Sequence, residues 1–153
     1  MSKEQPLSGL ETHLGYLLRS VSNLVSGTFA RALHKQRASV AEWVMLRHLW
    51  DRQGITPGDL AEALGMTRGA VSKVLDKLER KKWIKRTTKA QDHRVQLLSL
   101  TGRGRNILPK LAAIADQNDS QFFDCLNADE RSKLQTLLRK LAELHRISDA
   151  PIE

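Results

Sequence analysis

Cysteine is almost absent from this chain, which contains a single one, Cys125, in 153 residues. An intrachain disulfide is therefore impossible, and a disulfide-stapled secreted fold is excluded. No apolar run is long enough to span a bilayer. The N-terminal segment Met1–Pro6 also lacks the apolar core of a signal peptide. We therefore expect a cytoplasmic protein with no membrane association.

Patterns typical of catalysis and metal binding are also missing. The five histidines are scattered, with no pair at ligand spacing. None of them accompanies a nucleophile or an acid pair in a sequence motif. The sequence therefore predicts no catalytic site, no metal site and no cofactor.

Cys125 lies among Phe122, Phe123 and Leu126. Because a reactive thiol needs an exposed, cationic setting, we expect Cys125 to be buried and inert.

Positive charge is abundant and unevenly distributed. The formal net charge is +8, and ten of the 25 lysines and arginines lie between Arg68 and Arg94, with only three of the 17 acidic residues. The rest of the chain is nearly neutral. Such a concentration is typical of a nucleic-acid-binding surface, where each phosphate contact releases counterions. A membrane-surface role would need this charge on an amphipathic helix with large apolar residues opposite. The distribution therefore favours nucleic acid.

Residues 56–78 have the pattern of a helix-turn-helix. Thr56 can cap a short first helix, and Gly65 can adopt the left-handed conformation that ends it. Thr67 can cap a second helix, whose apolar side consists of residues at helical spacing: Val71, Val74, Leu75 and Leu78. The opposite side begins with small residues and then becomes basic, which suits a helix that approaches a DNA groove closely. A solvated charged face is the alternative, but the turn and the charge concentration favour DNA.

A basic β-hairpin is predicted directly after this helix. Residues 83–88 and 95–100 are the predicted strands, and the polar residues 89–94 connect them. Such a hairpin is a wing, which can place Arg94 on the DNA backbone or in a minor groove. The basic run at residues 80–82, before the wing, is interpreted as the solvated end of the helix, where the dipole favours cations.

Long amphipathic helices flank this lobe. An apolar stripe follows residues 10–33, and a second helix is predicted over residues 40–52 with Ser39 as its N-cap. Thr101 and Asn127 can cap two further helices that reach about His145. Pro109 lies inside the first of these two and predicts either a kink or a later start. A lobe of residues 38–101 could not cover these apolar stripes alone.

The order of these elements resembles the MarR family of bacterial winged helix-turn-helix transcriptional regulators, from about Leu10 to His145. Asp92-His93-Arg94 in the wing matches the family's Asp-x-Arg signature, and residues 100–104, Leu-Thr-Gly-Arg-Gly, are similar to its Leu-Thr-x-x-Gly junction. The fold class is then mainly α with a small β-hairpin wing. The resemblance implies one domain over residues 1–153, with dimerisation helices in residues 10–37 and 102–146 and a winged helix-turn-helix DNA-binding lobe in residues 38–101.

The resemblance also implies where DNA binds. A homodimer would occupy a pseudo-palindromic site in double-stranded DNA, with half-sites about 34–36 Å apart. Arg94 is expected in the minor groove, oriented by Asp92, while Ser72 and Lys73 face the major groove. The full set of residues expected at the DNA is Thr67, Arg68, Ser72, Lys73, Lys77, Lys89, Asp92 and Arg94.

A repressor released by a small aromatic or anionic effector is the remaining implication of the resemblance. The effector is expected between the dimerisation helices and the winged lobe. The candidates are polar or aromatic residues of the first two predicted helices, and each could instead be a packing or surface residue: His13, Tyr16, Arg19, Trp43 and Arg47. Two other functions stay open: an architectural DNA-binding protein indifferent to sequence, and a protein-interaction module whose basic wing is incidental.

Overall fold

A computed structural model describes residues 7–147 and Pro151. The N-terminal segment Met1–Pro6, considered above for a signal peptide, lies outside the described residues. A short 3₁₀ helix at Leu10–Thr12 precedes α1 (Leu14–Lys35), α2 (Val40–Asp51), α3 (Pro57–Leu64), α4 (Arg68–Arg80), β1 (Ile84–Lys89), β2 (Asp92–Leu100), α5 (Gly102–Phe123) and α6 (Ala128–Leu144). The prediction of a mainly helical fold with a small β-hairpin is confirmed. None of the described helices is long and apolar enough to cross a membrane.

Local capping determines where most of these helices begin. Ser39, Thr56 and Asn127 each form a reciprocal capping box with the acidic residue three positions later. Thr67 and Thr101 each accept a hydrogen bond from the backbone N–H three residues on, at 3.2 Å and 3.1 Å. Gly65 has a φ of +62° and ends α3. These boundaries agree with the sequence-based expectations because a cap needs only residues close in the chain.

The hydrophobic core lies where α2, α3 and α4 meet the base of the hairpin. Leu46, Leu60 and Leu75 contribute one fully buried side chain from each of these three helices. The antiparallel hairpin closes one side of the core, with Ile84 of β1 opposite Leu100 of β2. The first turns of α5 join the same core through residues that include Leu108 and Leu111. One core therefore holds the helix-turn-helix, the wing and the start of α5 together.

The hairpin is longer, and its turn tighter, than the sequence predicted. β2 begins at Asp92, and Lys89 pairs with Asp92, so that only Ala90 and Gln91 connect the strands. The expectation of a polar loop over residues 89–94 is wrong. The tip is exposed on both faces and lacks the alternation of apolar and polar residues by which a strand is recognised in a sequence. Arg94 therefore lies on a strand near the tip.

The junction between the wing and α5 is held by several contacts around Trp83. Thr101 donates its backbone N–H to the Trp83 carbonyl at 3.0 Å and its hydroxyl to the Lys82 carbonyl at 2.6 Å. A Cβ added at Gly104 would overlap the Trp83 carbonyl oxygen.

α5 is helical throughout, with Pro109 inside it, so the alternative of a later start is excluded.

α6 and the first half of α1 bury little of their apolar surface. None of the residues of α6 is buried, and Leu33 near the end of α1 is the buried residue of that helix. Leu14 is 82% exposed and Leu144 is 68% exposed. Both helices thus present apolar stripes to solvent in the single chain.

Cys125, between α5 and α6, is exposed, and the expectation of a buried thiol is wrong. Its apolar neighbours Phe122, Phe123 and Leu126 are themselves only partly buried. Apolar neighbours in sequence do not bury a side chain when little of the described chain packs over their turn.

Candidate nucleic-acid interface

α4 has one side in the core and one side in solvent. Val71, Leu75 and Leu78 are buried, whereas the residues expected at the DNA are exposed along the other side: Thr67, Arg68, Ser72, Lys73 and Lys77. The Thr67 hydroxyl is occupied as the N-cap of α4 through its contact with the Ala70 N–H. The exposed side therefore offers a small serine in the first turns and two lysines beyond it.

The wing tip carries the other three expected residues, and Lys89, Asp92 and Arg94 are all exposed. Oδ1 of Asp92 accepts a hydrogen bond from the backbone N–H of Arg94 at 3.0 Å. Asp92 thus stabilises the backbone of the tip, while the Arg94 side chain faces solvent. A carboxylate used in this way sets the position of the neighbouring arginine through the main chain.

A groove of about 500 Å³ runs between α4, the start of α3 and the wing. Three of the expected residues line it: Arg68, Ser72 and Arg94. Lys73, Lys77 and Lys89 lie exposed outside its lining, on α4 and at the wing tip. The fold therefore brings the polar face of α4 and the wing arginine to one basic surface.

Arg86 of β1 also lines this groove, and the sequence analysis missed it. Its Nη2 donates to Oδ1 of Asp76 at 2.6 Å, and its Nε lies 3.1 Å from Oε2 of Glu79 in an ion pair without hydrogen-bond geometry. Nη1 also reaches Oε1 of Gln96 on β2 at 3.5 Å. The Arg86 side chain is 19% exposed. It joins both wing strands to α4 and neutralises acidic residues beside the groove.

A signal for this contact was present in the sequence. Asp76 falls on the side of α4 expected to face DNA, where an unpaired carboxylate would repel phosphate. Glu79 follows three residues later and is therefore a neighbour on the helix surface. A nearby cation would offset the charge of these two acids, and the basic strand that follows offers Arg86 and Lys85.

Lys81 joins the end of α4 to the start of α2. Its Nζ lies 2.7 Å from both carboxylate oxygens of Glu42 and 4.7 Å from the centroid of the Trp83 ring. Glu42 is 2% exposed, and a buried carboxylate without a partner would be strongly destabilising. The interpretation of residues 80–82 as a solvated helix end is therefore wrong for Lys81, although Arg80 and Lys82 are exposed.

The candidate effector residues do not share one pocket. Trp43 lines a cavity of about 270 Å³ between α1, α2 and α5, which we call the aromatic cavity. Arg47 lines a different cavity of about 230 Å³ and forms an ion pair with Asp51 at 2.6 Å. The remaining three candidates are exposed and line neither of these cavities: His13, Tyr16 and Arg19.

The aromatic cavity has mainly apolar walls, with Ser26, Asp119 and one buried amide among its lining residues. The rings of Trp43 and Phe29 meet edge to face, with centroids 6.4 Å apart. Asn118 of α5 is 7% exposed and donates from Nδ2 to the Val25 carbonyl at 3.3 Å. Its Oδ1 is buried without a hydrogen-bond partner in the described part of the chain. Phe29 and Asn118 were missed by the sequence analysis because nothing in the chain pattern relates α1 to α5.

One histidine has a shifted pKa. Burial, followed by the charge of Arg52, lowers the pKa of His48 on α2 below its usual value of 6.5, and Asp51 opposes this change. The imidazole is thus favoured in its neutral form. Within residues 7–147 and Pro151, no cluster of three or more His, Cys, Asp or Glu side chains is placed to hold a metal ion.

Comparisons with known proteins agree with this architecture. The MarR family model matches residues 38–95. The HTH-type transcriptional repressor Mb2911 of Mycobacterium bovis is 29% identical over 128 residues, which are 84% of this chain and 92% of the relative.

Solved structures extend the likeness to the flanking helices. A cysteine-to-serine mutant of MarR from E. coli, complexed with operator DNA, is 27% identical with a TM-score of 0.74, over 84% of this chain and 92% of that one. Bordetella bronchiseptica BpsR, in a structure that concerns regulation of its DNA binding by 6-hydroxynicotinic acid, is 25% identical with a TM-score of 0.77, over 90% of this chain and 98% of that one. Residues 38–95 thus match the MarR family model, and the described fold, with the helix-turn-helix, the wing and both signature segments in place, is similar to that of MarR-family winged helix-turn-helix transcriptional regulators.

Proposed function

We propose that this protein is a sequence-specific transcriptional repressor that binds double-stranded DNA as a homodimer and is released by a small effector. The observation that carries the proposal is the basic surface shared by α4 and the wing, where Ser72 and Arg94 line one groove. Through this surface α4 could enter the major groove while the wing arginine enters the adjacent minor groove, without any rearrangement of the lobe. Regulation of genes in this way would place the protein in the bacterial cytoplasm.

Each exposed residue has a distinct part in this proposal. Ser72 and Lys73 contact base edges in the major groove, and Arg94 enters the minor groove next to it. Asp92 keeps the wing tip in shape through the Arg94 N–H. The others contact phosphates or nearby bases and add affinity that depends on salt: Thr67, Arg68, Lys77 and Lys89.

The homodimer is supported by the apolar stripes that the single chain leaves exposed. α1 exposes residues that include Leu17 and Val21, and α6 exposes Leu138 and Leu141. Exposed apolar surface of this extent marks an interaction site. Residues 10–37 and 102–146 are accordingly proposed as the dimerisation helices, and residues 38–101 as the DNA-binding lobe.

Effector control is supported by the position of the aromatic cavity. Its walls come from α1 and α5, which belong to the proposed dimerisation region, and from α2 of the lobe. A ligand there would change how the lobe is held relative to its partner, and thus the separation of the two wings. Such couplings are typically about 1–3 kcal/mol. The aromatic acid that regulates DNA binding in BpsR is a precedent for control by a small ring compound.

Selection of bound sequences from a random duplex pool, at roughly physiological salt, tests the proposal. A pseudo-palindrome with half-sites one helical turn apart is the expected result. The Lys73→Ala variant should relax base preference, whereas Lys89→Ala should weaken all binding and reduce its salt dependence. Binding without enrichment would instead indicate an architectural protein. No DNA binding would indicate a protein-interaction module.

The sign of regulation needs a separate measurement. When the selected site is placed within a promoter, expression of a reporter should fall in the presence of the protein. A rise in expression would instead identify an activator. Restoration of expression by a compound that fills the aromatic cavity would support the effector.

A further inference from the structure

We infer that Lys81 is a positioning residue for DNA binding, which fixes α4 relative to α1 and thereby sets the separation of the two α4 helices in the proposed homodimer. This inference rests on the proposed function, in which α1 belongs to the dimerisation region and α4 contacts DNA. It goes beyond that function by naming the side chain that couples the two regions.

Lys81 lies where the ends of three helices meet. Its Nζ donates to the backbone carbonyl of Arg37, two residues beyond the end of α1, at 2.5 Å. It also lies 2.7 Å from both carboxylate oxygens of Glu42, in the first turn of α2. Lys81 is itself the C-cap of α4. Because C-terminal helix ends favour cations and N-terminal ends favour anions, this ion pair suits all three ends.

Arg37 occupies the position of a hinge. Its φ is +57°, in the left-handed region that a residue with a Cβ adopts only at an energetic cost. It is also the last residue before the proposed lobe of residues 38–101. A change of φ and ψ at one such residue between two elements redirects a whole helix. The contact with Lys81 therefore holds the chain where α1 could turn relative to the lobe.

The other boundary of the lobe is connected to the same ammonium group. Nζ of Lys81 lies 4.7 Å from the centroid of the Trp83 ring, and the Trp83 carbonyl accepts the backbone N–H of Thr101 at 3.0 Å. Thr101 is the N-cap of α5. The chain enters the lobe after Arg37 and leaves it at Thr101, so one side chain is connected to both ends of the lobe.

Apolar packing defines this arrangement less sharply than the ion pair does. Leu33 of α1 is buried in the core, but hydrophobic attraction has no preferred direction. Hydrogen bonds from an ammonium group depend on distance and angle. Glu42 is 2% exposed, so any movement that separated it from Lys81 would leave a buried carboxylate without a cation. The ion pair thus favours the one arrangement in which Lys81 reaches both Arg37 and Glu42.

A double variant removes the connection and keeps the fold. In Lys81→Met with Glu42→Gln, no buried carboxylate is left unpaired. The glutamine can still accept the backbone N–H of Ser39, as Glu42 does in the capping box. Urea denaturation checks that this variant remains folded.

The matched control removes a second ion pair that has the same N–O distance of 2.7 Å, that of Arg131 and Asp124. Arg131 also donates to a backbone carbonyl, that of Phe123, but this pair joins α5 to α6 and lies outside the lobe. The control variant is Arg131→Met with Asp124→Asn.

Spin labels at two positions of one chain measure the placement of the lobe directly. Cys125→Ser removes the single native cysteine, and Asn23→Cys on α1 and Ala90→Cys at the wing tip provide two exposed attachment sites. An excess of unlabelled chain ensures that pulsed electron paramagnetic resonance reports distances within one chain. The labelled chain and the control should give one narrow distance. The double variant should give a distribution broadened by on the order of 2 Å or more, since packed helices shift by about 1–2 Å in such transitions.

Operator binding separates positioning from support of the fold. The duplexes carry two copies of the selected half-site, with spacers that differ by single base pairs. The native chain should prefer one spacer, and the double variant should lose roughly tenfold of this preference, as expected for contacts that are energetically coupled. Base preference within each half-site should stay unchanged. A residue that only supports the fold would instead lower the affinity for all spacers alike.

Two results would overturn the inference: a distance distribution in the double variant as narrow as in the native sequence, or an unchanged spacer preference. Failure of the native chain to dimerise or to bind DNA would contradict the proposed function instead. The distances within one chain involve neither DNA nor a second copy, so they would still decide whether Lys81 fixes α4 relative to α1.

Discussion

The winged lobe and the flanking helices use leucine in opposite ways. In the lobe, Leu49 of α2 and Leu78 of α4 are completely buried, while more than half of Leu24 on α1 and of Leu137 on α6 is exposed. Burial of apolar surface stabilises a fold by about 25 cal/mol for each Å² removed from water. The lobe therefore obtains this stabilisation within one chain, whereas the flanking helices would gain it only against a second surface. In the proposed homodimer this surface is the same pair of helices in the other copy.

The lobe also contains polar contacts that fix its parts relative to one another. The partly buried ion pair of Glu42 and Lys81 joins α2 to α4, and Arg86 joins the wing to α4. A lobe held in this way is expected to move as one body. In the proposed homodimer, differences in DNA affinity would then arise from the distance between the two lobes, which the proposed dimerisation helices would set.

The largest expected effect would remove the second surface. In the double variant Leu137→Gln and Leu141→Gln, a dimer would lose four leucines from its interface. Leu137 and Leu141 are 58% and 48% exposed in the single chain, so association can bury only about half of each. At about 1.5–3 kcal/mol for a fully buried leucine, the free energy of association should fall by on the order of 3–6 kcal/mol. Light scattering should show monomers at micromolar concentration, and operator affinity should fall with them.

The matched control replaces two exposed lysines of the same helix, Lys133→Gln and Lys140→Gln, and should remain dimeric. The helical circular dichroism of the protein should be largely retained in both double variants. A leucine variant that stays dimeric would contradict the contrast between lobe and flanking helices.

The next effect lies at the junction of the lobe with α5. Gly104→Ala would press a methyl group against the Trp83 carbonyl and should destabilise the fold by about 3 kcal/mol. Gly102→Ala, two residues earlier, meets nothing within 4 Å and is the control. Urea denaturation should separate the two variants clearly. Similar midpoints for both would show that the junction yields easily and that α5 is not firmly attached to the wing.

A smaller effect is expected when the wing is released from α4. Arg86→Met should weaken operator binding about tenfold, because contact energies of this kind are about 0.5–3 kcal/mol. Lys85→Met removes the same charge from an exposed neighbour in β1 and should act mainly by reducing the salt dependence of binding.

A double-mutant cycle with Asp76→Asn distinguishes the two roles. The effects of Arg86→Met and Asp76→Asn on the free energy of operator binding should be non-additive. The effects of Lys85→Met and Asp76→Asn should be nearly additive. If the Arg86 and Lys85 variants showed the same additivity with Asp76→Asn and the same salt dependence, Arg86 would be one more phosphate contact. The wing would then not be held to α4 by this side chain.

The smallest expected effect concerns pH. The pKa of His48 is lowered in the folded protein by burial and then by Arg52, so the folded state binds fewer protons than the unfolded chain. The stabilising contribution of the neutral imidazole is therefore complete well above pH 6.5 and decreases as the pH falls through 6.5 towards the lowered value. His48→Gln should flatten this part of the stability profile, measured by urea denaturation between pH 5 and 8. An unchanged slope would show that His48 is solvated equally in both states.

Much of the lobe could be predicted because its signals are local. The caps at Ser39, Thr56 and Thr67 and the left-handed Gly65 each involve residues within one helical turn, and the buried face of α4 follows the helical period. The sequence also identifies Gly104 as the last residue of the Leu-Thr-x-x-Gly segment. The reason for a glycine there, the close approach of the Trp83 carbonyl, is seen only in the tertiary structure.

The contacts that were missed join residues far apart in the chain. Glu42 meets Lys81, and Asn118 meets Val25, through side chains whose partners no periodicity indicates. The exposure of Cys125 was misjudged for a related reason, since burial depends on what packs over a turn and not on which residues flank it.

By itself, the sequence determined the order of the helices, the charge of the segment proposed to face DNA and the residues that α4 turns to solvent, because these follow from spacing along one element. Tertiary structure alone decided which cations accompany Glu42, Asp76 and Glu79, which residues enclose the aromatic cavity, and that α1 and α6 keep their apolar stripes exposed. These features depend on how elements pack against one another, and packing brings together residues that the chain itself separates by up to 93 positions.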